Sequence, residues 1–304
     1  MVKILVTGGA GFIGKHLVKF LRRNGYEVTI FDKFSNSSKN SISNIMNMGV
    51  QVIEGDITKP NEISNAIKKQ EIVIHLAAKI SVQESIENPI NTFQVNVDGT
   101  INVLVACKKY KVKKLIVASS AAVYGESSLN VKLTEKSKMI PISPYGQSKV
   151  KMEQIINKFV EEHNINCIVL RFFNIYGMGQ SDEYAGVITK FIKRVTQNKS
   201  LKIFGDGLQT RDFVSVYDVI NSIHKAISSD KNMTYNIASG TAITINELAK
   251  TIISISGKKL EIKHINPKKG DIRYSCADIS LAKKNLRYNP KIHIKEGIAQ
   301  MLEL

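Results

Sequence analysis

The first half of the chain alternates short apolar segments with longer segments in which apolar residues recur at helical spacing. The apolar segments predict strands at residues 3–7, 27–31, 50–55, 71–77, 114–119 and 167–172. The intervening segments predict helices at residues 12–24, 61–69, 91–110 and 145–163. Strands that alternate with helices are typical of a parallel sheet with helices on both faces. We therefore expect an α/β fold built on a doubly wound parallel sheet.

The alternation becomes irregular after about residue 172. There the pattern predicts a helix at 186–198, a turn at 205–207, a strand near 235–238 and a helix at 244–256. We predict two domains from this change. Residues 1–172, with return segments from 211–240, would form the sheet domain, and residues 173–304 would form a smaller C-terminal α/β lobe that binds substrate.

The formal net charge of +17 would suit a nucleic-acid partner, because basic surfaces attract phosphate groups. However, 7 of the 43 cationic residues are Arg, and Lys is spread along the chain rather than collected in one block. This distribution favours a solvated, lysine-rich surface, and we expect no nucleic-acid partner. The positive electrostatic field of such a surface would attract anionic small substrates.

No apolar run approaches the ~20 residues that a membrane-spanning helix needs. The N-terminal sequence MVKILVTGG has too short an apolar part for a signal peptide. The three cysteines, Cys107, Cys167 and Cys276, lie far apart and lack CxxC spacing, which argues against a disulfide framework or a zinc site. We therefore expect a cytoplasmic protein with no membrane contact and no bound metal.

A glycine-rich turn follows the first predicted strand. The sequence VTGGAGFIGKHL places Gly8, Gly11 and Gly14 in a GxxGxxG arrangement that leads into a helix, where the backbone can approach a pyrophosphate and the helix N-terminus supplies free N–H groups. Asp32 follows eighteen residues after Gly14, at the end of the second strand. A carboxylate there binds ribose hydroxyls and repels a 2′-phosphate. The pattern predicts a Rossmann-type dinucleotide site that favours NAD over NADP, a preference that the adjacent Lys33 weakens.

The sequence SPYGQSK places Tyr145 and Lys149 four residues apart at the start of a predicted helix, and therefore on one face. A phenol has a pKa of about 10. A cation ~4 Å away, at an effective dielectric constant of about 20, contributes ~4 kcal/mol, which corresponds to about three pKa units. We therefore predict that Lys149 lowers the pKa of Tyr145 enough for the phenol to act as a base near neutral pH.

Further motifs extend almost from end to end of the chain: TGGAGFIG, FDKFSNSSK, GDI (55–57), HLAA (75–78), NVDGT (96–100), SSAAVYG, PYGQSK, RFFNIYG (171–177), GDGLQTRDFVSVYDV (205–219) and GDIRYSCADISLA (270–282). In these motifs the chain resembles the extended short-chain dehydrogenases/reductases. Within that superfamily it is most similar to the UDP-glucose 4-epimerase group of the NAD-dependent epimerase/dehydratase family. The resemblance implies a tightly bound NAD, a UDP-sugar substrate, and a homodimer formed through the helices predicted at 91–110 and 145–163.

The resemblance also gives roles to matching positions. The implied catalytic residues are Ser120, Tyr145 and Lys149. The implied cofactor-binding residues are Gly8, Gly11, Phe12, Ile13, Gly14, Asp32, Lys33, Asn36, Ser37, Asp56, Ile57, Leu76, Ala77, Ala78, Lys79, Asn96, Ser119, Tyr145, Lys149 and Phe173. The implied substrate-binding residues are Ser120, Ala121, Tyr145, Asn174, Ile203, Phe204, Arg211, Lys268, Arg273 and Ser275. Members of the family usually carry Arg at the position of Lys268, and a lysine there keeps the charge but loses the bidentate fork.

In the implied reaction, Tyr145 removes the proton of the C4 hydroxyl while hydride passes to NAD, and the 4-keto sugar turns and receives hydride on its other face. Related 4,6-dehydratases need an acid pair where this chain has Ala121 and Ala122, which cannot move a proton. The small Ser275 stands at a position that faces the sugar in the resembling epimerases. We expect it to leave room for a 2-acetamido group, so UDP-glucose/UDP-galactose and UDP-N-acetylglucosamine/UDP-N-acetylgalactosamine both stay open as substrate pairs.

Two alternatives remain. One is another nucleotide-sugar enzyme of the same family, such as a UDP-glucuronate 4-epimerase or decarboxylase. The other, from a different class, is a non-catalytic NAD-binding sensor or RNA-associated relative. The joint presence of Ser120, Tyr145 and Lys149 argues against the sensor, because a sensor has no use for an activated phenol.

Overall fold

A parallel β-sheet forms the centre of the protein in a computed structural model that describes residues 1–181, 184–267 and 270–303. The strands of the described residues are β1 (Lys3–Thr7), β2 (Glu27–Asp32), β3 (Gln51–Glu54), β4 (Ile72–His75), β5 (Lys114–Ser120), β6 (Cys167–Phe172), β7 (Asn174–Tyr176), β8 (Leu201–Phe204), β9 (Thr210–Ser215), β10 (Thr234–Ile237), β11 (Ala242–Thr244) and β12 (Ile262–Ile265). Seven of them form the central sheet in the order β10-β6-β5-β4-β1-β2-β3, with every neighbouring pair parallel.

Helices cover both faces of this sheet. The described helices are α1 (Phe12–Arg23), α2 (Ser43–Met46), α3 (Pro60–Ile67), α4 (Val82–Glu87), α5 (Pro89–Phe93), α6 (Gly99–Lys109), α7 (Pro144–His163), α8 (Val187–Thr196), α9 (Val216–Ile227), α10 (Ile245–Ser256), α11 (Ser280–Leu286) and α12 (Ile294–Leu302). Helices α1 and α9 bury apolar residues against one face, and α3, α6 and α7 do so against the other. The strands are almost continuously apolar because both of their faces are buried. The predicted α/β fold with a Rossmann-type doubly wound parallel sheet is confirmed.

The helix predicted at 91–110 is present without a break at 89–109, but it is not α-helical throughout. Residues Gln94–Asp98 form a π-helical turn between α5 and α6. Within this turn the carbonyl oxygen of Asn96 accepts a hydrogen bond from the Thr100 hydroxyl at 2.7 Å, and Thr100 lies 3.1 Å from the buried ring of His75. A π-turn widens the helix locally and is common at functional sites. Apolar spacing alone does not reveal this turn.

The C-terminal part of the chain forms two further sheets, with strand orders β11-β9-β7 and β12-β8, and helices α8, α10 and α12 enclose its own apolar core. Strand β10 and helix α9, in contrast, pack with the central sheet. We therefore propose the domain division predicted from the sequence: residues 1–172 with return segments from 211–240, and a C-terminal lobe within 173–304.

Candidate functional site

The glycine turn between β1 and α1 is closely packed. Gly8 has φ +69°, and a Cβ there would come within 2.7 Å of the Ala77 backbone nitrogen. A Cβ on Gly14 would lie 2.6 Å from the Gly9 Cα and would also collide with the carbonyl oxygen of Gly8. Both glycines are therefore required for the turn to keep its shape at the N-terminus of α1. This cradle and the free N–H groups of the helix suit a pyrophosphate.

A cavity of about 400 Å³ opens over this turn. Most of the predicted cofactor-binding residues line it: Gly8, Gly11, Phe12, Ile13, Gly14, Asp32, Lys33, Asn36, Ser37, Asp56, Ile57, Leu76, Ala77, Ala78 and Lys79. They come from the carboxyl ends of the strands where the order of the sheet reverses, which is where open α/β sheets bind ligands. The residues present fit a dinucleotide.

Asp32 is fixed at the end of β2 by two backbone contacts. The N–H of Phe34 donates to one carboxylate oxygen at 2.8 Å, and the N–H of Ala10 donates to the other at 3.0 Å. Burial raises the pKa of Asp32, and these two hydrogen bonds oppose the rise. The carboxylate keeps lone pairs for the ribose hydroxyls of a dinucleotide, because each oxygen has two.

Lys33 is not a free cation beside Asp32. Its ammonium lies 2.6 Å from one carboxylate oxygen of Asp56, and the other oxygen accepts hydrogen bonds from the backbone N–H and hydroxyl of Thr58. Burial raises the pKa of Asp56, but Lys33 and Thr58 together lower it below its usual range. The positive charge expected to weaken the preference for NAD is therefore paired with a carboxylate.

Sequence reasoning missed one wall of the cavity. Gly179, Gln180, Ser181 and Tyr184, which follow β7, line it from the far side. The His16 ring on α1 contacts the carbonyl oxygen of Met178 at 2.8 Å, which ties this segment to the phosphate-binding helix. Nothing in the local sequence marks these residues, because the fold brings them across the cavity from 170 positions downstream of the glycine turn.

The catalytic candidates meet where β5 ends and α7 begins. Tyr145 is buried in the first turn of α7, and the hydroxyl of Ser120, the last residue of β5, interacts with its phenol. The Ser120 Oγ accepts a hydrogen bond from the N–H of Ala122 at 3.2 Å. The hydroxyl hydrogen of Ser120 is then available for the phenol or for a substrate oxygen.

The expectation that Lys149 lowers the pKa of Tyr145 is not realised in this structure. Burial raises the pKa of Tyr145, and the contact that opposes this rise comes from Ser120. The Lys149 ammonium instead donates to the carbonyl oxygen of Ala118 at 3.0 Å. Burial lowers the pKa of Lys149 to about 8, while the charge of Glu153 raises it.

Three predicted cofactor contacts have other partners. The Asn96 amide accepts from the N–H of Lys79 at 2.8 Å and donates to the Lys79 carbonyl and the Ser148 hydroxyl, so its side chain supports the cavity wall from behind. The Ser119 hydroxyl donates to Glu153 at 2.5 Å. Phe173 is buried in the core against Tyr124. In this structure these three side chains contact protein groups and lie outside the lining of the cavity, as do Tyr145 and Lys149, so a direct contact of these five residues with the cofactor stays a prediction.

The predicted substrate residues lie in the C-terminal lobe and the segment after β5. Asn174 on β7 donates to the Asp212 carbonyl on the neighbouring β9. Phe204 is exposed, but Ile203 is fully buried in the core of the lobe, because successive residues of β8 face opposite sides. The prediction that the Ile203 side chain contacts substrate is therefore corrected. Lys268 lies outside the described residues.

Both arginines predicted to hold the diphosphate are paired with carboxylates. Arg211 donates to Asp271 at 2.6 Å. Arg273 forms a two-pronged pair with Asp206, at 2.6 and 2.7 Å, and lowers the pKa of Asp206 to about 2. A diphosphate that bound either arginine would displace the carboxylate from it, because carboxylate and phosphate bind the same planar guanidinium fork.

The segment that carries Arg273 and Ser275 is held against the end of the catalytic strand. Glu126, six residues after Ser120, accepts hydrogen bonds from the N–H groups of Arg273 and Tyr274 at 2.8 and 3.1 Å. Leu133 and Ala277 form a further bridge between the two segments. Ser275, which lies between Tyr274 and Ala277 in the sequence, is buried and is 155 positions from Ser120. The fold thus places the predicted sugar-facing residue next to the segment that follows β5.

Within the described ranges, no group of three His, Cys, Asp or Glu side chains is arranged to hold a metal ion. None of the helices that the structure describes combines the length and apolar character needed to cross a membrane.

The fold and the cavity define a Rossmann-type NAD-binding enzyme. Residues 4–238 match the model of the NAD dependent epimerase/dehydratase family. A protein of Methanocaldococcus jannaschii that carries the provisional name UDP-glucose 4-epimerase is 40% identical over 303 residues, which are 98% of this chain and 97% of the relative.

Two solved structures are closely similar to this one. The UDP-glucose 4-epimerase of Thermotoga maritima with UDP-glucose has a TM-score of 0.94 and 35% identity, and the similarity covers 99% of this chain and 98% of that chain. The UDP-N-acetylglucosamine 4-epimerase of Methanobrevibacter ruminantium M1 in complex with UDP-N-acetylmuramic acid has a TM-score of 0.94 and 33% identity, with coverage of 99% and 97%. This chain belongs to the NAD-dependent epimerase/dehydratase family.

Proposed function

We propose that this protein is an NAD-dependent epimerase that inverts C4 of a UDP-hexose. The observation that carries the proposal is that Ser120 and Tyr145 interact where β5 ends and α7 begins, with Lys149 one turn further along α7 and bonded to the Ala118 carbonyl of β5. Relatives named for two different UDP-sugars share this fold, which supports a 4-epimerase and leaves the sugar open.

In this proposal Tyr145 is the acid and base at the C4 oxygen, and the hydroxyl of Ser120 holds that oxygen. Bound NAD supplies a reversible hydride acceptor. Arg211 and Arg273 hold the diphosphate after they exchange Asp271 and Asp206 for phosphate oxygens. The nucleotide end then provides most of the affinity, and the sugar is held loosely enough to present either face.

The residues that follow Ser120 favour epimerisation over dehydration. Ala121 and Ala122 begin a 3₁₀ turn directly after β5, and neither side chain can donate or accept a proton. We also propose that Ser275, which is small, admits a 2-acetamido group. UDP-glucose/UDP-galactose and UDP-N-acetylglucosamine/UDP-N-acetylgalactosamine are therefore the first substrate pairs to test, and UDP-glucuronate is the alternative.

The test is to incubate purified protein with UDP-glucose, UDP-N-acetylglucosamine and UDP-glucuronate in separate reactions and to separate the products by chromatography. The proposal predicts the C4 epimer of at least one of the first two. Formation of a decarboxylated product, or of the UDP-glucuronate epimer alone, would favour the alternatives. Binding of NAD without any product would favour the sensor. Homodimer formation and a cytoplasmic location stay predictions from the sequence.

A further inference from the structure

The reaction proposed above leaves one buried pair of charges without a role. Glu153 lies one turn after Lys149 on α7 and is 1% exposed. Arg171 on β6 donates to its carboxylate from Nε at 3.0 and 3.1 Å and from Nη2 at 2.6 Å. A buried ion pair adds little net stability, because the desolvation of both charges offsets their attraction. Stability is therefore a poor explanation for this pair.

Glu153 also binds the end of the catalytic strand. Its carboxylate accepts a hydrogen bond from the Ser119 hydroxyl at 2.5 Å. Ser119 stands between Ala118, whose carbonyl oxygen receives the Lys149 ammonium, and Ser120, whose hydroxyl interacts with Tyr145. The residues on both sides of Ser119 thus contact the two catalytic groups of α7.

Glu153 is also the acidic group that acts on Lys149. Among the described residues, the titratable groups whose charge is coupled to Lys149 are Glu153 on α7 and His75 on β4, and Tyr145 lies one turn before Lys149 on α7. His75 is neutral, because burial and then the charge of Lys149 lower its pKa to about 3. Burial favours the neutral amine of Lys149, and the charge of Glu153 opposes this effect.

We propose that Glu153 is a positioning residue for the epimerase reaction: it holds Ser119 so that Lys149 and Ser120 keep their places around Tyr145, and it places a negative charge one turn along α7 from the Lys149 ammonium. Arg171 sets the orientation of the carboxylate through its fork. This inference rests on the proposed function, in which Tyr145 and Lys149 are catalytic residues.

Three variants separate the two parts of the proposal. Glu153→Gln keeps the shape and removes the charge. Ser119→Ala removes the link to β5 and leaves the ion pair. The double variant Glu153→Leu/Arg171→Met replaces the pair with apolar side chains of similar size, so that no buried charge is left unpaired.

For Glu153→Gln we expect kcat to fall at least tenfold with KM within about twofold of wild type, and the alkaline limb of the kcat–pH profile to move to lower pH, because an ammonium without its negative neighbour loses its proton more readily. Ser119→Ala should lower kcat without moving this limb. The double variant should have a melting temperature close to that of the wild type. Its kcat should stay low, and the alkaline limb of its kcat–pH profile should stay displaced, as in Glu153→Gln. Wild-type kcat and an unmoved limb in the folded double variant would show a purely structural role and overturn the inference.

A second measurement does not depend on turnover. In ¹³C-lysine-labelled protein, the signal that Lys149→Met removes reports the titration of Lys149. We expect its pKa to be lower in Glu153→Gln than in wild type, and an equal value would overturn the electrostatic part. If wild-type protein converts no UDP-sugar, the proposed function fails, while this titration still decides what Glu153 does to Lys149.

Discussion

The Lys33 ammonium and the Asp56 carboxylate lie 2.6 Å apart at the adenosine end of the cavity, next to Asp32. The pairing leaves Asp32 as the dominant charge where a 2′-phosphate would lie. We therefore expect selection of NAD over NADP to depend on two carboxylates: Asp32, which would repel a 2′-phosphate, and Asp56, which pairs with Lys33.

This pairing predicts that Asp56→Asn narrows the preference for NAD. The amide keeps the size of the side chain and releases Lys33, so the ratio of the NADP dissociation constant to that of NAD should fall by about fivefold, the effect of a pair worth ~1 kcal/mol. Isothermal titration calorimetry of nucleotide-free protein measures both constants. As control, Asp56→Asn/Lys33→Met should restore the original ratio, and an unchanged ratio in Asp56→Asn would contradict the prediction.

Tyr145→Phe removes the phenol and keeps the ring in its buried position. We expect kcat to fall by about 10²- to 10⁴-fold, the usual contribution of general acid–base catalysis, with NAD binding unchanged. Product chromatography measures the first quantity, and cofactor content after gel filtration measures the second. Tyr110→Phe, a surface variant outside the site, is the matched control. Unimpaired interconversion by Tyr145→Phe would exclude the proposed role.

Ser275→Tyr tests the size of the sugar site. Ser275 is buried where the 270–278 segment meets the segment after β5, so a tyrosine side chain should occupy the space of a 2-acetamido group. We expect at least a tenfold loss of kcat/KM for UDP-N-acetylglucosamine with UDP-glucose conversion retained. Ser275→Ala, which stays small, should behave like wild type. The size argument is wrong if the folded tyrosine variant treats both substrates as wild type does.

His75 makes stability depend on pH. Its ring contacts the hydroxyls of Thr7 at 2.7 Å and Thr100 at 3.1 Å, and burial lowers its pKa to about 3, below the ~6.5 of an unfolded chain. The unfolded state therefore binds a proton at higher pH than the folded state. The stability from this group is complete above pH 6.5 and is lost as pH falls towards 3, by about 2 kcal/mol at pH 5. Urea unfolding at pH 7.5 and pH 5 measures the loss, and His75→Asn should lack this part of it. An identical pH dependence in the variant would refute the assignment.

Gly14→Ala should disrupt the glycine turn. Its Cβ would lie 2.6 Å from the Gly9 Cα, so backbone must move, at a cost of about 1–3 kcal/mol in the free energy of unfolding. NAD affinity should fall with it, because the same backbone forms the cradle. Gly186→Ala is the control, because it makes the same substitution at a position with space for it. Its new methyl group would lie 3.9 Å from the side chain of Gln180, an ordinary van der Waals distance. Equal stability and NAD affinity in the two variants would show that the turn tolerates a side chain.

Local chemistry explains what could be predicted from the sequence. Apolar periodicity located the strands of the central sheet and the helices that cover it. This is possible because the spacing of apolar residues along the chain reflects which faces of an element are buried. The glycine turn and Asp32 are likewise local to two strand ends, and Tyr145 and Lys149 are fixed relative to each other by one turn of helix. Most of the cofactor cavity follows from these elements.

Tertiary structure decided which side chains are free to act. Ser119 and Asn96 belong to matching motifs, yet Ser119 hydrogen-bonds to Glu153, which the sequence does not mark, and Asn96 hydrogen-bonds to the backbone of Lys79. The Lys149 ammonium turns to the Ala118 carbonyl because burial requires a partner for it. Spacing along a helix determines which residues share a face, whereas hydrogen-bond partners and burial depend on elements that fold in from elsewhere in the chain.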